Sequence, residues 1–241
     1  LQSGVGNIAR FTSEASHELR TPVTIVRTTA ELALRRERTP TEYRHALGEI
    51  HAQACEMSAL VDDLLAMARA DAGVDVASAA VCDVCTSVAS FAAPWRWPTP
   101  APRLTLPDAP LCVRAESREI LRLLSIVCEN AVKYATGDAD AAGLAIRVRG
   151  TSSAVILEVE DHGVGVHPAD LPRIFERFYR GAAARASTSE GSGLGLPIAQ
   201  MIAHRLGGTI TVMSPACDST DRPGTLVTIT LPRAVAVEAH A

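Results

Sequence analysis

Four groups of residues have the types and spacing to do chemistry: a histidine followed by a glutamate, an asparagine–lysine pair, and two glycine-rich segments. His17 carries an imidazole whose ordinary pKa of about 6.5 leaves it largely neutral near pH 7, with a lone pair available for attack. Glu18 beside it is placed to orient the ring and take its proton; the plain alternative is a solvated histidine on a helix. Asn130 and Lys133 are three apart and share one helix face. An amide carbonyl can hold Mg2+ while an ammonium neutralises phosphate oxygens, so the pair suits a nucleoside triphosphate, or else forms an exposed polar stripe. Lys133 is the single lysine among 23 basic residues. Asp161-His162-Gly163-Val164-Gly165 follows directly on Val159-Glu160, and Gly191-Ser192-Gly193-Leu194-Gly195-Leu196 runs into an apolar helical stretch. Glycine lets backbone amides approach a phosphate closely, and a helix N-terminus adds partial positive charge. Neither segment is a Walker loop, since no Gly-Lys-Ser/Thr follows, and the first lacks the G-x-G-x-x-G spacing of dinucleotide sites. Taken singly, each is no more than a turn.

The elements that must position these residues fall into two regions. Ile8, Phe11, Ala15, Leu19, Val23, Val26 and Ala30 recur at steps of three and four, which predicts a long helix. Thr39-Pro40-Thr41-Glu42 is a capping box with proline at the first helical position, and it starts a second helix expected to end near Gly73. Two such helices make an antiparallel hairpin whose apolar stripes need covering, so a second copy and a dimeric four-helix bundle are expected. From about Val74 the pattern changes. Leu144–Arg149, Val155–Glu160, Thr209–Met213 and Thr225–Leu231 read as strands, while Ser117–Ala135 and Leu196–Leu206 read as helices. The Pro-rich stretch from Pro94 to Pro110 reads as loop. The expected organisation is therefore a helical hairpin over residues 1–73 and an α/β sandwich over 74–241, with a frayed tail after Pro232.

Composition removes several classes. Over 241 residues, 47% hydrophobic and 21% charged is an ordinary globular mixture, which excludes a disordered chain. A net charge of −4 carries no basic nucleic-acid footprint. No apolar run approaches the roughly 18 to 20 residues of a membrane span, and no signal-peptide pattern opens the chain. The first residue is Leu1 rather than Met, so a fragment is expected. Of six cysteines only Cys82 and Cys85 form a CxxC, without the second ligand pair a zinc site needs, so small buried hydrophobes of a reducing compartment are expected. The histidines other than His17 show no partner pattern.

Ser16-His17-Glu18-Leu19-Arg20-Thr21-Pro22 resembles the phospho-acceptor box of bacterial sensor histidine kinases. Asn130 to Tyr134 resembles their Asn box, Asp161-x-Gly163-x-Gly165 and Gly191-x-Gly193-x-Gly195 their two Gly boxes, and Ile174 to Arg180 their Phe box. Pro223-Gly224-Thr225 with Leu231-Pro232 matches their closing strand, so the likeness runs through nearly the whole chain in the family's order. It implies a HisKA-type dimerisation hairpin followed by an ATP-binding domain of the GHKL, or Bergerat, fold. It also implies ATP and Mg2+ as cofactors, a homodimer, a response-regulator receiver domain as partner, and a cytoplasmic location with membrane attachment only through an upstream segment.

The implied roles follow residue by residue. His17 would be the phosphorylated nucleophile with Glu18 its base, and Thr21 would position water in dephosphorylating the partner. Pro22 would loosen the helix by leaving the Glu18 carbonyl without its amide partner. Asp161 would accept the adenine amino hydrogen, Gly163 and Gly165 would hold the loop against the base, and Thr225 would reach it through water. Asn130 would hold Mg2+ beside Tyr134, Lys133 and Arg180 would meet phosphate oxygens, and Gly193, Leu194 and Gly195 would line the phosphates. The small polar run from Gly181 to Glu190 suits a lid, with Phe175 and Phe178 as its hinge or simply as core. One departure stands out: family members often carry a second asparagine four residues before the metal-binding one, and here that position is Ile126. A plain ATPase of the same fold, or a phosphatase-dominant scaffold that binds nucleotide weakly, are the alternatives. The His-Glu-x-x-Thr-Pro helix argues against the first, and Ile126 keeps the second open.

Overall fold

Thr39 turns the chain between two long helices. Its backbone amide and hydroxyl both donate to Glu42 Oε2, at 2.8 and 2.9 Å, and the Glu42 amide returns to Thr39 Oγ1 at 3.3 Å. This is the reciprocal box read from the sequence, and it starts α2 (Pro40–Asp71). The helix before it, α1 (Gln2–Leu34), has its terminal carbonyls closed by Arg38, whose Nη2 donates to the Leu32 carbonyl at 2.9 Å. α1 continues through the buried Pro22, and the Thr24 hydroxyl donates to the Arg20 carbonyl at 2.8 Å one turn on. The computed structural model describes residues 2–71, 80–92, 101–134, 143–181, 192–216 and 223–234. The chain divides into two compact units, Leu1–Val74 and Asp75–Ala241.

The hairpin buries Ala15, Leu60 and Met67, yet Val23, Leu32, Leu47, Val61 and Leu65 stay exposed, Leu47 by 64% and Leu65 by 49%. Such side chains would each gain roughly 1.5–3 kcal/mol on full burial, so a pair of helices alone leaves much of its apolar surface in water.

In the second unit, β1 (Val81–Asp83), α3 (Val84–Ala92), β2 (Arg103–Thr105) and β3 (Cys112–Arg114) precede α4 (Ser117–Lys133). Then come β4 (Ala145–Gly150), β5 (Ala154–Asp161), α5 (Gly195–Arg205), β6 (Thr209–Met213) and β7 (Thr225–Pro232). Five strands form one sheet in the order β2-β4-β5-β7-β6, antiparallel except for β2 against β4, while β1 and β3 make a separate antiparallel ribbon. One face carries Ile146, Val148, Val155, Leu157, Val159, Val227 and Ile229, buried with Leu123, Val127 and Cys128 of α4 and Ile198 and Ile202 of α5. The opposite face carries the alternate residues of the same strands, where Arg147 bridges Glu158 and Glu160 and Arg149 meets Glu158 at 2.9 Å. This period-2 alternation places the helices on one side only.

The short elements β1, α3, β2 and β3 were not resolved by the sequence pattern. Three residues give alternation too little length to register, and β2 lies within the Pro-rich stretch read as loop, whose residues 94–100 are outside the described part. β2 is held by its parallel pairing with β4, and one side chain organises the other three. Asp83 accepts from the Cys85 and Thr86 amides, the Thr86 hydroxyl and the Leu111 amide, so it caps α3 and ties it to the approach to β3. Cys85 and Cys128 are buried, Cys82 and Cys112 half-buried, and Cys55 exposed, all as free thiols; burial pushes the Cys128 thiol up to about 12. Cys217 lies outside the described residues.

Thr39→Ala removes the two hydrogen bonds made by the Thr39 hydroxyl, leaves the backbone amide on Glu42 Oε2, and is expected to cost about 1 kcal/mol. Equilibrium urea unfolding of the hairpin transition measures it, and a loss below about 0.3 kcal/mol would show that α2 does not depend on this box.

Candidate active site

Asp161 is the last residue of β5, and its register partner across the sheet is Thr225, the first residue of β7. Pairing those two ends brings donors onto the Asp161 carboxylate: the Gly163 amide at 2.8 Å, and the backbone and hydroxyl of Thr225. Burial pushes the carboxyl up to about 6, against the pull of these donors and of His162 nearby. His162 itself lies 3.5 Å from Glu160 on the charged face. A carboxyl in this position keeps an oxygen available to accept from an amino group, and it is most willing to accept when ionised.

The loop after Asp161 fits against two neighbours at close range. At Gly163 a Cβ would overlap the Tyr134 carbonyl oxygen, which also accepts from the Val164 amide at 3.2 Å. Gly165 has φ +67°, and a Cβ there would come within 2.7 Å of Ser214 Oγ. The Gly224 amide donates to the Gly163 carbonyl at 3.1 Å. Ser214, a buried residue that no motif singled out, accepts from the Val166 amide at 2.9 Å and donates to the Gly224 carbonyl at 2.8 Å. A serine just beyond a strand end carries no pattern of its own, which is why spacing did not find it.

From Tyr134 the chain of contacts continues through α4. Tyr134 follows that helix, and its amide donates to the Asn130 carbonyl at 3.0 Å. Its phenol hydrogen-bonds with Arg180, while burial pushes the phenol's pKa upward against the pull of that cation. The Lys133 ammonium lies 5.8 Å from the Tyr134 ring centroid. Asn130 Nδ2 is 3.8 Å from where a Cβ on Gly195 would stand, and Ile126 Cγ2 is 3.2 Å from the same point. The start of α5 thus rests on the Asn130 face of α4, with Ile126 buried beneath it. Gly193 has φ +68° and accepts from the Phe178 amide at 3.1 Å, and Phe178 itself takes φ +61°, so the segment ending in Arg180 is held against the second glycine segment. Leu194 is buried. Phe175 and Phe178 are each only half-buried, whereas Ile174 supplies the buried anchor of that segment.

The structure thus gathers Asn130, Lys133, Tyr134, Asp161, Gly163, Gly165, Arg180, Gly193, Gly195 and Thr225 around the ends of β5, β7, α4 and α5. His17, Glu18 and Thr21 lie on α1 in the other unit; Thr21 is exposed, and the side chains of His17 and Glu18 are outside the described part. The lid run falls almost wholly on residues 182–191, also outside it. Among the described residues no group of three or more His, Cys, Asp or Glu side chains could hold a metal. The Asn130 amide therefore fits Mg2+ only as one oxygen ligand beside those of a triphosphate and water.

Residues 115–235 match the family described as "Histidine kinase-, DNA gyrase B-, and HSP90-like ATPase", and residues 7–73 match "His Kinase A (phospho-acceptor) domain". The chain belongs to the sensor histidine kinases, as a phospho-acceptor hairpin joined to an ATPase fold. Sensor histidine kinase YkoH of Bacillus subtilis is 32% identical over 216 residues, covering 85% of this chain and 44% of that protein. Probable sensor histidine kinase TcrY of Mycobacterium tuberculosis is 32% identical over 215 residues, covering 86% and 43%. The chain thus spans less than half the length of these relatives. Among solved structures, the mycobacterial sensor histidine kinase MprB superposes with a TM-score of 0.54 at 26% identity, over 64% of this chain and 98% of that one. Acinetobacter baumannii histidine kinase AdeS superposes with a TM-score of 0.64 at 22% identity, over 90% and 97%, a likeness of fold.

The Asp161 titration has a defined sign. Its folded pKa of about 6 exceeds the unfolded value of 3.8, so ionisation costs stability fully above pH 6, and the cost fades as pH falls toward 3.8. Asp161→Asn removes that dependence. The difference in unfolding free energy, variant minus parent, should rise by up to about 3 kcal/mol between pH 4 and pH 7. Denaturant melts across that range measure it, and a flat difference would show that the carboxyl does not titrate there.

Proposed function

We propose that this chain is the autokinase portion of a two-component sensor: it binds ATP with Mg2+, phosphorylates its own His17, and passes the phosphoryl group to an aspartate of a response-regulator receiver domain. The observation that carries the reading is the buried carboxylate of Asp161, backed by Thr225 and the Gly163 amide, on a chain that also carries the His-Glu-x-x-Thr-Pro helix. A carboxylate accepts from the amino group of adenine and has no donor for the carbonyl of guanine, which selects the nucleotide.

In this reading Lys133 and Arg180 take the phosphate oxygens, Arg180 with a planar fork steadied by the Tyr134 phenol. Bound Mg2+ would neutralise charge on the triphosphate, with the Asn130 amide as its protein ligand. Amides at Gly193, Leu194 and Gly195, at the start of α5, add donors where the helix dipole favours an anion. An imidazole nitrogen of His17 attacks the γ-phosphorus, the bond to the bridging oxygen breaks and ADP leaves, while Glu18 takes the ring proton. Transfer of this kind asks chiefly for positioning and charge neutralisation. Thr21 is exposed on the same helix, three residues past Glu18, where its hydroxyl would place water on the partner's phosphoaspartate. Ile126 supplies no second amide to the metal, and it favours a modest autokinase rate with a relatively larger share of phosphatase activity.

Incubation with γ-labelled ATP and Mg2+ tests the proposal. Acid-labile, alkali-stable label on the protein, absent from His17→Gln, is the expected result. Free phosphate without labelled protein would mark a plain ATPase instead. Neither product, with phosphate lost from a phosphorylated receiver domain, would mark a phosphatase-dominant scaffold.

The exposed Val61 and Leu65, four apart on α2, support a homodimer in which a second hairpin covers them. Val61→Asp with Leu65→Asp is expected to turn a sedimenting dimer into a monomer, and an unchanged dimer would place the interface elsewhere. Kinship with the sensor histidine kinases supports attachment to a membrane through a preceding segment, with this portion on the cytoplasmic side.

A further inference from the structure

We propose that Ser214 is a positioning residue for adenine recognition, its hydroxyl clamping the Gly163–Val166 loop to Gly224 and so holding the Asp161 carboxylate in its accepting geometry. The inference rests on the reading of Asp161 as the adenine acceptor and adds a residue that makes that acceptor selective.

Ser214 stands just past β6 and is 8% exposed. Its single proton goes to the Gly224 carbonyl at 2.8 Å, and its oxygen accepts from the Val166 amide at 2.9 Å. The Gly224 amide donates in turn to the Gly163 carbonyl at 3.1 Å. Three hydrogen bonds therefore close a ring through two loops from different parts of the chain. The ring ends on both groups that hold Asp161: the Gly163 amide donates to its Oδ1 at 2.8 Å, and Thr225 follows Gly224 directly. Steric closeness points the same way. A Cβ on Gly165 would lie 2.7 Å from Ser214 Oγ and 2.8 Å from Pro223 Cγ, so the loop sits directly on the hydroxyl. At Gly224, φ is +62° and a Cβ would overlap the Asp161 carbonyl, so that position takes no side chain of its own and packs directly on Asp161. A hydroxyl that donates and accepts at once is the smallest group able to satisfy both buried backbone partners. Removing it orphans an N–H and a C=O, and the loops must separate to find water.

The test compares Mg·ATP with inorganic triphosphate as a probe of phosphate contacts alone, by calorimetry on the full chain. Ser214→Ala is expected to weaken ATP about tenfold or more while triphosphate changes by less than twofold, and Ser214→Thr, which keeps the hydroxyl, is expected to recover most of the loss. In the nucleotide-free protein, amide hydrogen exchange should rise in Ser214→Ala at Gly163, Val166 and Thr225 together, with Val148 and Leu157 unchanged. Equal weakening of both ligands, unchanged ATP affinity, or retained protection at Gly163 and Thr225 would each overturn the clamp. A parent protein that binds triphosphate as well as ATP would instead overturn the adenine reading itself and, with it, the selective role of Ser214.

Discussion

A carboxylate held inside the protein against its own preference is the constraint on which the nucleotide-binding unit depends. Asp161 ends the middle strand of a five-stranded sheet, where burial lifts its pKa to about 6. Sheet register cannot slip without moving it, because a one-residue shift would turn the apolar face of β5 to solvent and Asp161 to the opposite side. Register also delivers Thr225 to the carboxylate, and the turn at Gly163 delivers an amide. Donors that ordinarily pull a carboxyl downward here only partly offset desolvation. The core of Val155, Leu157, Val159, Ile146 and Ile229 supplies the stability that lets this strained group persist.

Helix α4 couples that core to the second glycine segment. Its buried face is Ile120, Leu123, Leu124, Val127 and Cys128, and its C-terminal turn presents Asn130, Lys133 and the Tyr134 carbonyl. One rigid element thus touches both the glycine loop after Asp161 and the start of α5. Ile126 belongs to the buried set, filling the space under Gly195. The Phe178 backbone, at positive φ and bonded to Gly193, ties the Arg180 segment to the same framework.

Much of this was legible from residue patterns because the relevant signals are local. The capping box at Thr39 needs only four residues, and the strands at 209–213 and 225–232 show alternation over enough length to read. The helices at 117–133 and 195–205 show their period in the same way. The glycines at 163, 165, 193 and 195 were recognisable as close-approach positions toward base and phosphate; the atoms they crowd in the structure are the protein's own, the Tyr134 carbonyl, Ser214 Oγ, the Phe178 backbone and Ile126. The three-residue strands and α3 were not legible, since β1, α3 and β3 are tied by Asp83 reaching 28 residues ahead to Leu111 and β2 is held by pairing with β4 some forty residues on. Ser214 escaped for the same reason: its partners lie 48 residues before it and 10 after. Long-range side-chain bonds to backbone leave no periodic trace.

The most direct measurement is a carbon-13 titration of the Asp161 side-chain carboxyl with and without adenine nucleotide. In the free protein the midpoint should lie near 6, and saturating ADP should lower it, because an amino group donating to the carboxylate favours the ionised form. A midpoint that ignores the nucleotide, or rises on binding, would contradict the assignment of this carboxylate as the adenine acceptor.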